Sequence, residues 1–415
     1  MLVLQPARKP RRSQGRIGLA IAGGGPIGGM YELGALRALD EAIEGFDPTR
    51  LEVYVGVSSG SFLAAGLANG LSTAEMYRIF ITGDSHEVKF QPEIFLRPAF
   101  LEYARRAANL PGLAWRWGID ALANPAGSHL GELFRSLGGL VPTGLFDNAA
   151  IEKFLREVFS RHGRSNDFRE LEHRLFLVAV DLDSGEAVRF GSPGWEDVPI
   201  SRAIQASAAL PGLYPPVAIR GRHFVDGALR RTMHASVVLD HGIDLMLGIN
   251  PLVPFNASRG GQRPNGMDKL SEAGLPVVLS QTFRTLLQSR MQVGLAKYAQ
   301  QYPAVDQMVL EPDDDDGEMF FTNIFSYSSR QRLCEHAFRR TLDDLRRRRA
   351  ILAPMLARHG LRLRDEVLDA ATRSVADGLQ RPPRRTEATA RLHRALDEIE
   401  RELSTGRHRR ARTSA

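Results

Sequence analysis

Leu51-Glu52-Val53-Tyr54-Val55-Gly56-Val57-Ser58-Ser59-Gly60-Ser61-Phe62-Leu63-Ala64-Ala65-Gly66 is the stretch that decides the fold. Residues 51–55 have the apolar, β-branched character of a buried strand, and residues 61–70 (SFLAAGLANG) read as a helix of small residues. Between them, Gly56 to Gly60 form a G-x-S-x-G run in the strand, turn, helix context that a nucleophile elbow requires. A serine there must sit on a strained turn that lifts its Oγ above the sheet. Gly56 and Gly60 relieve the crowding two residues to either side.

Outward from this stretch, residues 17–22 (IGLAIA) form a second buried-strand run. Gly23-Gly24-Gly25-Pro26-Ile27-Gly28 follows, opening an amphipathic helix over about 29–44 in which Leu33, Leu36 and Leu39 recur at helical spacing. Strand, helix, strand, helix predicts an α/β fold with a mostly parallel sheet. Taken alone, the glycine cluster has three readings: a dinucleotide fingerprint in which Gly23, Gly25 and Gly28 match G-x-G-x-x-G, an oxyanion hole for acyl transfer, or a tight turn. A dinucleotide fold wants an acidic residue at the end of the second strand, for the ribose. Ser58 stands there instead, and the acyl-transfer reading is favoured. The N–H of Ser59 would join those of Gly24 or Gly25 around a tetrahedral oxyanion.

A serine nucleophile needs a base. His223, His234 and His241 lie in or beside an expected hairpin and helix, in no recognisable catalytic turn, and read as surface or packing residues. Asp226, in Val225-Asp226-Gly227-Ala228, is the better candidate. An apolar strand end delivers its carboxylate, and Gly227 and Ala228 leave space beside it. The ordinary reading of an isolated Asp-Gly is a turn.

GGGPIG, GVSSG and DGA, in that order, resemble the three signatures of the patatin-like phospholipases, and residues 206–217 (ASAALPGLYPPV) resemble the segment before the family's DGA. The resemblance spans about residues 16–250. It implies a three-layer α/β/α sandwich, Ser58 as nucleophile and Asp226 as an acid that activates it without histidine. It also implies an oxyanion loop at Gly23, Gly24, Gly25 and Gly28, and a lipid or other acyl-ester substrate, with no metal or organic cofactor. One position departs. The family usually carries Arg or Lys immediately before the last glycine of the first motif, where this chain has Ile27. An apolar residue there predicts weak discrimination between phospholipids and neutral esters, unless a cation such as Arg202 or Arg230 is supplied from elsewhere. A catalytically silent lipid-binding or scaffold protein on the same fold is the competing function.

The rest of the chain sets boundaries. Its 415 residues carry a formal charge of +6 and one cysteine, Cys334, so no intrachain disulfide forms. Residues 1–15 read as a disordered basic leader and 16–250 as the catalytic core, with a helical cap inserted at about 85–145 that carries Trp115 and Trp117. Residues 251–360 read as a helical continuation of the core, and 361–415 as a basic helical appendage. In the appendage, Leu392, Leu396, Ile399 and Leu403 form a seam suited to homo-oligomerisation or to packing on the body. Asp313 to Asp316 lack the ligand spacing of a calcium loop. The basic ends, including Arg8, Arg12, Arg407 and Arg412, would suit peripheral contact with an anionic membrane. With no aromatic residues among them, nucleic acid is not expected. No secretory leader or membrane span is evident, which predicts a cytoplasmic, peripherally associating protein.

Overall fold

The structure is a computed structural model that describes residues 1–10, 12–85, 90, 92–99, 142–259, 269–322, 327–370 and 372–379. Among these residues, eleven strands run in chain order: β1 (Leu2–Gln5), β2 (Ile17–Ile21), β3 (Ile43–Glu44), β4 (Val53–Val57), β5 (Arg174–Asp181), β6 (Ala187–Phe190), β7 (Val217–Ile219), β8 (Arg222–Asp226), β9 (Leu245–Ile249), β10 (Asp306–Leu310) and β11 (Arg362–Leu363). The α-helices are α1 (Gly25–Ala42), α2 (Ser59–Ala68), α3 (Thr73–Tyr77), α4 (Ala149–Phe159), α5 (Ile200–Ser207), α6 (Ala235–Leu239), α7 (Leu275–Gln301), α8 (Gly317–Phe321), α9 (Tyr327–Arg347), α10 (Arg349–Ala357) and α11 (Asp365–Leu368).

The main sheet has nine strands in the order β1-β10-β9-β2-β4-β5-β8-β7, with β6 also paired to β5. Its five central strands, β10, β9, β2, β4 and β5, are parallel, and the outer pairings are antiparallel. β2, β4, β9 and β10 are buried at every residue, as parallel strands covered on both faces must be. Helices lie on both sides, giving the α/β fold expected. Val237 and Val238 of α6 pack with Met291 and Leu295 of α7 against Ala20, Val53 and Val55. The chain moves from β2 to β4 on one side and later from β9 to β10 on the other. The crevice beyond the carboxyl ends of β2 and β9 is therefore a topological switch point, the usual ligand site of such sheets.

Three sequence expectations need correction. The leader is ordered: Leu2–Gln5 is an edge strand antiparallel to β10, and the following segment is tied down by the N–H groups of Ala7 to Asp306 (2.8 Å) and Gln14 to Asp244 (2.9 Å). Buried carboxylates accepting backbone N–H groups hold a stretch that its charge alone marked as loose. The region 251–360 is not purely helical, because β10 lies within it, parallel to β9. Its last helical stretch is two helices, α9 and α10, that part at Arg348.

The boundary at 361 moves to Val375, where the compact body ends; residues 376–415 form a separate unit. β11 pairs with β3, Leu368 and Val375 are buried, and Arg373 reaches Glu41 at 2.7 Å. Burial of a Val or Leu side chain is worth about 1.5–3 kcal/mol. A chain ending at Leu363 loses Val367, Leu368 and Val375 together, so it should melt at least about 10 °C lower or fail to fold. A chain ending at Leu379 should melt like the full chain; equal melting of the two truncations by circular dichroism would return the boundary to 361. The seam at 392–403 and Trp115 and Trp117 of the expected cap lie outside the described residues.

Candidate active site

The sheet register brings the two chemical residues together. Val57, the last residue of β4, pairs with Val178 of β5, and the next residue of β5, Ala179, pairs with Asp226 at the end of β8. Ser58 follows Val57 directly. A serine at the exit of one strand and a carboxylate at the exit of another therefore meet across β5. Ser58 and Asp226 line the same cavity, with the Ser58 side chain near enough to the Asp226 carboxyl to influence its ionisation.

Ser58 is held in strain. Its φ of 51° and ψ of −121° lie in a region that L-residues rarely adopt, at a typical cost of about 1–3 kcal/mol. The surroundings enforce this geometry. A Cβ at Gly60 would stand 2.5 Å from the Ala22 carbonyl oxygen, and one at Gly56 would stand 2.6 Å from the Ser61 Cα. The Ser58 N–H donates to Ser207 Oγ at 2.9 Å, and Ser207 Oγ donates to the Val178 carbonyl at 2.6 Å. Ser61 Oγ donates back to the Ser58 carbonyl. Ser207, at the end of α5, anchors the elbow and is a role that reading the sequence alone missed.

Asp226 is 3% exposed and Ser58 6%. Burial pushes the Asp226 carboxyl up to about 6, against the opposing pull of the neighbouring Ser58 side chain and of a hydrogen bond from the Ala228 N–H at 2.9 Å. Desolvation wins because no cation among the described residues stands close enough to offset it.

The glycine loop divides its labour. A Cβ at Gly23 would lie 2.8 Å from the Ser58 Cβ, so Gly23 makes room for the Ser58 side chain. Its N–H is bonded to the Thr232 carbonyl (3.3 Å), and the Gly28 N–H to the Gly24 carbonyl (3.0 Å). Neither is a free donor. Gly25 and Ser59 are the first residues of α1 and α2, where N–H groups have no partner within the helix. The N–H groups of Gly24, Gly25 and Ser59 have no acceptor among the described residues. They remain as unengaged donors, with the positive ends of both helices behind them. Gly227 packs against the Val178 carbonyl, and Ala228 stands beside Gly23.

Beneath the elbow lies a second residue not legible in the sequence. Glu32 of α1 is fully buried, and its Oε1 accepts from Ser59 Oγ at 3.0 Å. Burial drives its carboxyl well above the usual carboxylate range, against the opposing pull of the Ser59 hydroxyl.

The histidines stand apart. His234 is buried, its Nε2 is 3.4 Å from the Gly227 carbonyl, and burial pushes it down to about 4. His241 Nδ1 meets the Val237 carbonyl at 2.7 Å, and His223 is exposed on β8. Ser58 and Asp226 open instead into a cavity of about 700 Å³ with no histidine among its described lining residues. Its walls are apolar, with Phe62, Phe80, Phe90, Phe95 and Leu213 among them. A model of the patatin-like phospholipase family matches residues 19–239, more than half of the chain and all of the residues above that meet Ser58. The chain belongs to the patatin-like phospholipase family.

Individual likenesses are more distant. An uncharacterised protein, R571 of Acanthamoeba polyphaga mimivirus, is 23% identical over 235 residues, covering 56% of this chain and 64% of the viral one. VipD of Legionella pneumophila matches with a TM-score of 0.31 at 17% identity, over 62% of this chain and 55% of VipD. ExoU of Pseudomonas aeruginosa, solved with SpcU, matches with a TM-score of 0.28 at 14% identity, over 74% of this chain and 60% of the other. The chain thus spans just under two-thirds of the viral relative's length and little over half of VipD's.

Outside the cavity, the acidic run is occupied by ion pairs: Asp314 with Arg259 (2.9 Å) and Asp316 with His336 (2.7 Å). Among the described residues, no helix is long and apolar enough to cross a membrane.

Proposed function

We propose that this patatin-like protein hydrolyses carboxylic esters of lipids through an acyl-enzyme on Ser58, with Asp226 as its general base. The observation that carries the reading is a strained, buried serine and a carboxyl raised to about 6, brought together by the sheet register in the wall of one apolar cavity. Asp226 takes the Ser58 proton as Oγ bonds to the ester carbonyl carbon. The N–H groups of Gly24, Gly25 and Ser59 hold the oxyanion. Collapse breaks the ester C–O bond, and the departing alcohol takes the proton from Asp226. Water, deprotonated by the same carboxylate, then releases the fatty acid and restores Ser58. An ordinary Asp near 3.8 is a weak base, and the shift towards 6 brings it closer to the operating pH.

The cavity suits an acyl chain, and its mouth suits an interface. Leu275 (69% exposed), Leu279 and Phe283 of α7 both line the cavity and face solvent, so apolar surface runs from the entrance to the nucleophile. Incubation of the full chain with a p-nitrophenyl ester and with a fluorophosphonate tests the proposal. Turnover and a single covalent adduct are expected. No turnover on a panel of neutral and phosphate esters, and no adduct, would leave a silent lipid-binding protein on this fold.

The dyad has its own test. His223→Gln, His241→Gln and His234→Asn (Asn tolerates the left-handed backbone at position 234) should each change kcat/KM by less than about threefold, because none of the three lines the cavity. One histidine variant as inactive as Ser58→Ala would replace the dyad with a triad.

A further inference from the structure

Ile27 lines the cavity and gives it no charge, but another residue does. Arg284, on the buried side of α7, is 7% exposed and lines the same cavity as Ser58 and Asp226. It lies well beyond residue 239, where the family match ends. The two arginines that the sequence offered are engaged elsewhere. Arg202 bonds Gln205 and the Ala218 carbonyl, Arg230 bonds the Gly185 carbonyl, and neither lines this cavity.

The contacts of Arg284 hold a cation without neutralising it. One terminal nitrogen donates to the carbonyls of Pro251 (3.3 Å) and Val253 (3.1 Å), and the guanidinium carbon lies 5.2 Å from the Phe320 ring centre. No carboxylate pairs with it among the described residues. Burial pushes its guanidinium down to about 10, with no charged neighbour among the described residues near enough to oppose the shift. A buried cation without a counter-ion is costly, and such a site gains most from an anion that arrives with the ligand. Arginine carries five N–H donors in a planar fork, and the other terminal nitrogen and Nε have no protein acceptor among the described residues.

Position links this cation to the reacting centre. Pro251, whose carbonyl Arg284 holds, packs on the glycine loop: its Cγ is 2.4 Å from where a Cβ would stand at Gly24 and 2.8 Å from one at Gly28. The cation and the oxyanion donors thus share one wall of the cavity. Resting on the acyl-hydrolase reading above, we infer that Arg284 is the specificity-determining residue of this site, binding a phosphate oxyanion on the alcohol side of the scissile ester. The preferred substrates are acyl esters of a phosphorylated alcohol, and the weak discrimination expected from Ile27 is replaced by a preference for the anion. Charge-assisted, bidentate bonds of this kind are about twice as strong as neutral ones.

A matched pair tests this: monopalmitoylglycerol and the same molecule phosphorylated on its free primary hydroxyl, each dilute in non-ionic detergent micelles. The full chain should show a kcat/KM ratio of at least about tenfold in favour of the phosphate ester. Arg284→Gln should lower that ratio at least about tenfold, and Arg284→Lys should restore part of it. A wild-type ratio near one, with both esters turned over, overturns the inference and leaves the acyl-hydrolase reading standing. Failure of both esters together with failure of fluorophosphonate labelling removes the acyl-hydrolase reading itself. A measurement on the unmodified chain covers the case in which the variants do not fold. Dodecyl phosphate should slow fluorophosphonate labelling of Ser58 at least about tenfold more than dodecyl maltoside at equal concentration, and equal slowing by the two overturns the inference. Slowing by inorganic phosphate alone as strong as that by dodecyl phosphate would show a site for free phosphate, and overturns the substrate assignment.

Discussion

Ser58→Ala should reduce ester hydrolysis to background, a loss of at least about 10³-fold in kcat, and should abolish the fluorophosphonate adduct. Without Oγ no covalent intermediate forms, and the backbone donors of Gly24, Gly25 and Ser59 can only polarise a carbonyl that nothing attacks. The fold should survive, because the elbow is built from the backbone and from Ser207 and Ser61, none of which the change removes. Ser58→Gly separates catalysis from strain. At φ 51° and ψ −121° glycine has no Cβ to clash, so this variant should be as inactive as the alanine one yet more stable, by about 1 kcal/mol or more. Intact-mass measurement of the adduct and thermal melts of the three proteins check both halves. An adduct that persists in Ser58→Ala would place the nucleophile elsewhere.

The parts of this site that are local in sequence were legible in advance. An elbow has to be written in consecutive residues, because the turn at Ser58 needs Gly56 and Gly60 at fixed offsets, and the same holds for the glycine loop and for Asp226-Gly227. The parts that depend on packing were not. Gly23 reads as an oxyanion donor until the Thr232 carbonyl is seen to take its N–H. Glu32 and Arg284 read as polar residues on helices, with nothing nearby in the chain to say that each points inward at the site. Ser207 is one of several small residues before Pro211, and only the approach of β4 to α5 selects it. β10 is Asp306–Leu310 (DQMVL), with only three apolar residues in a row before an acidic loop, so its apolar run was too short to read as strand until β9 paired with it. The leader was misread for the opposite reason: its basic residues dominated its composition, while the edge strand uses only Leu2–Gln5.

Asp226→Asn should cost at least about 10²-fold in kcat, the low end of general-base contributions, while making the protein more stable at neutral pH. The two effects share one cause. Burial raises the carboxyl from an ordinary 3.8 to about 6, so the folded state holds its proton more tightly than the unfolded chain does. Stability from this group is full below about pH 4, where both states are protonated. It falls as the pH rises from there to about 6, because the unfolded carboxylate ionises in water and the folded one cannot follow. Above about 6 the folded group is charged too, and the loss is complete at roughly 3 kcal/mol. Asparagine has no charge to desolvate and keeps an oxygen for the Ala228 N–H. The variant should therefore melt well above the native protein at pH 8, and the gap should close towards pH 4. Over the same window the native enzyme should gain activity, with a midpoint near 6, as the base becomes competent. If the native protein were the more stable of the two at pH 8, the carboxylate would be stabilised in the fold rather than raised, and Asp226 would lack the basicity that the mechanism asks of it.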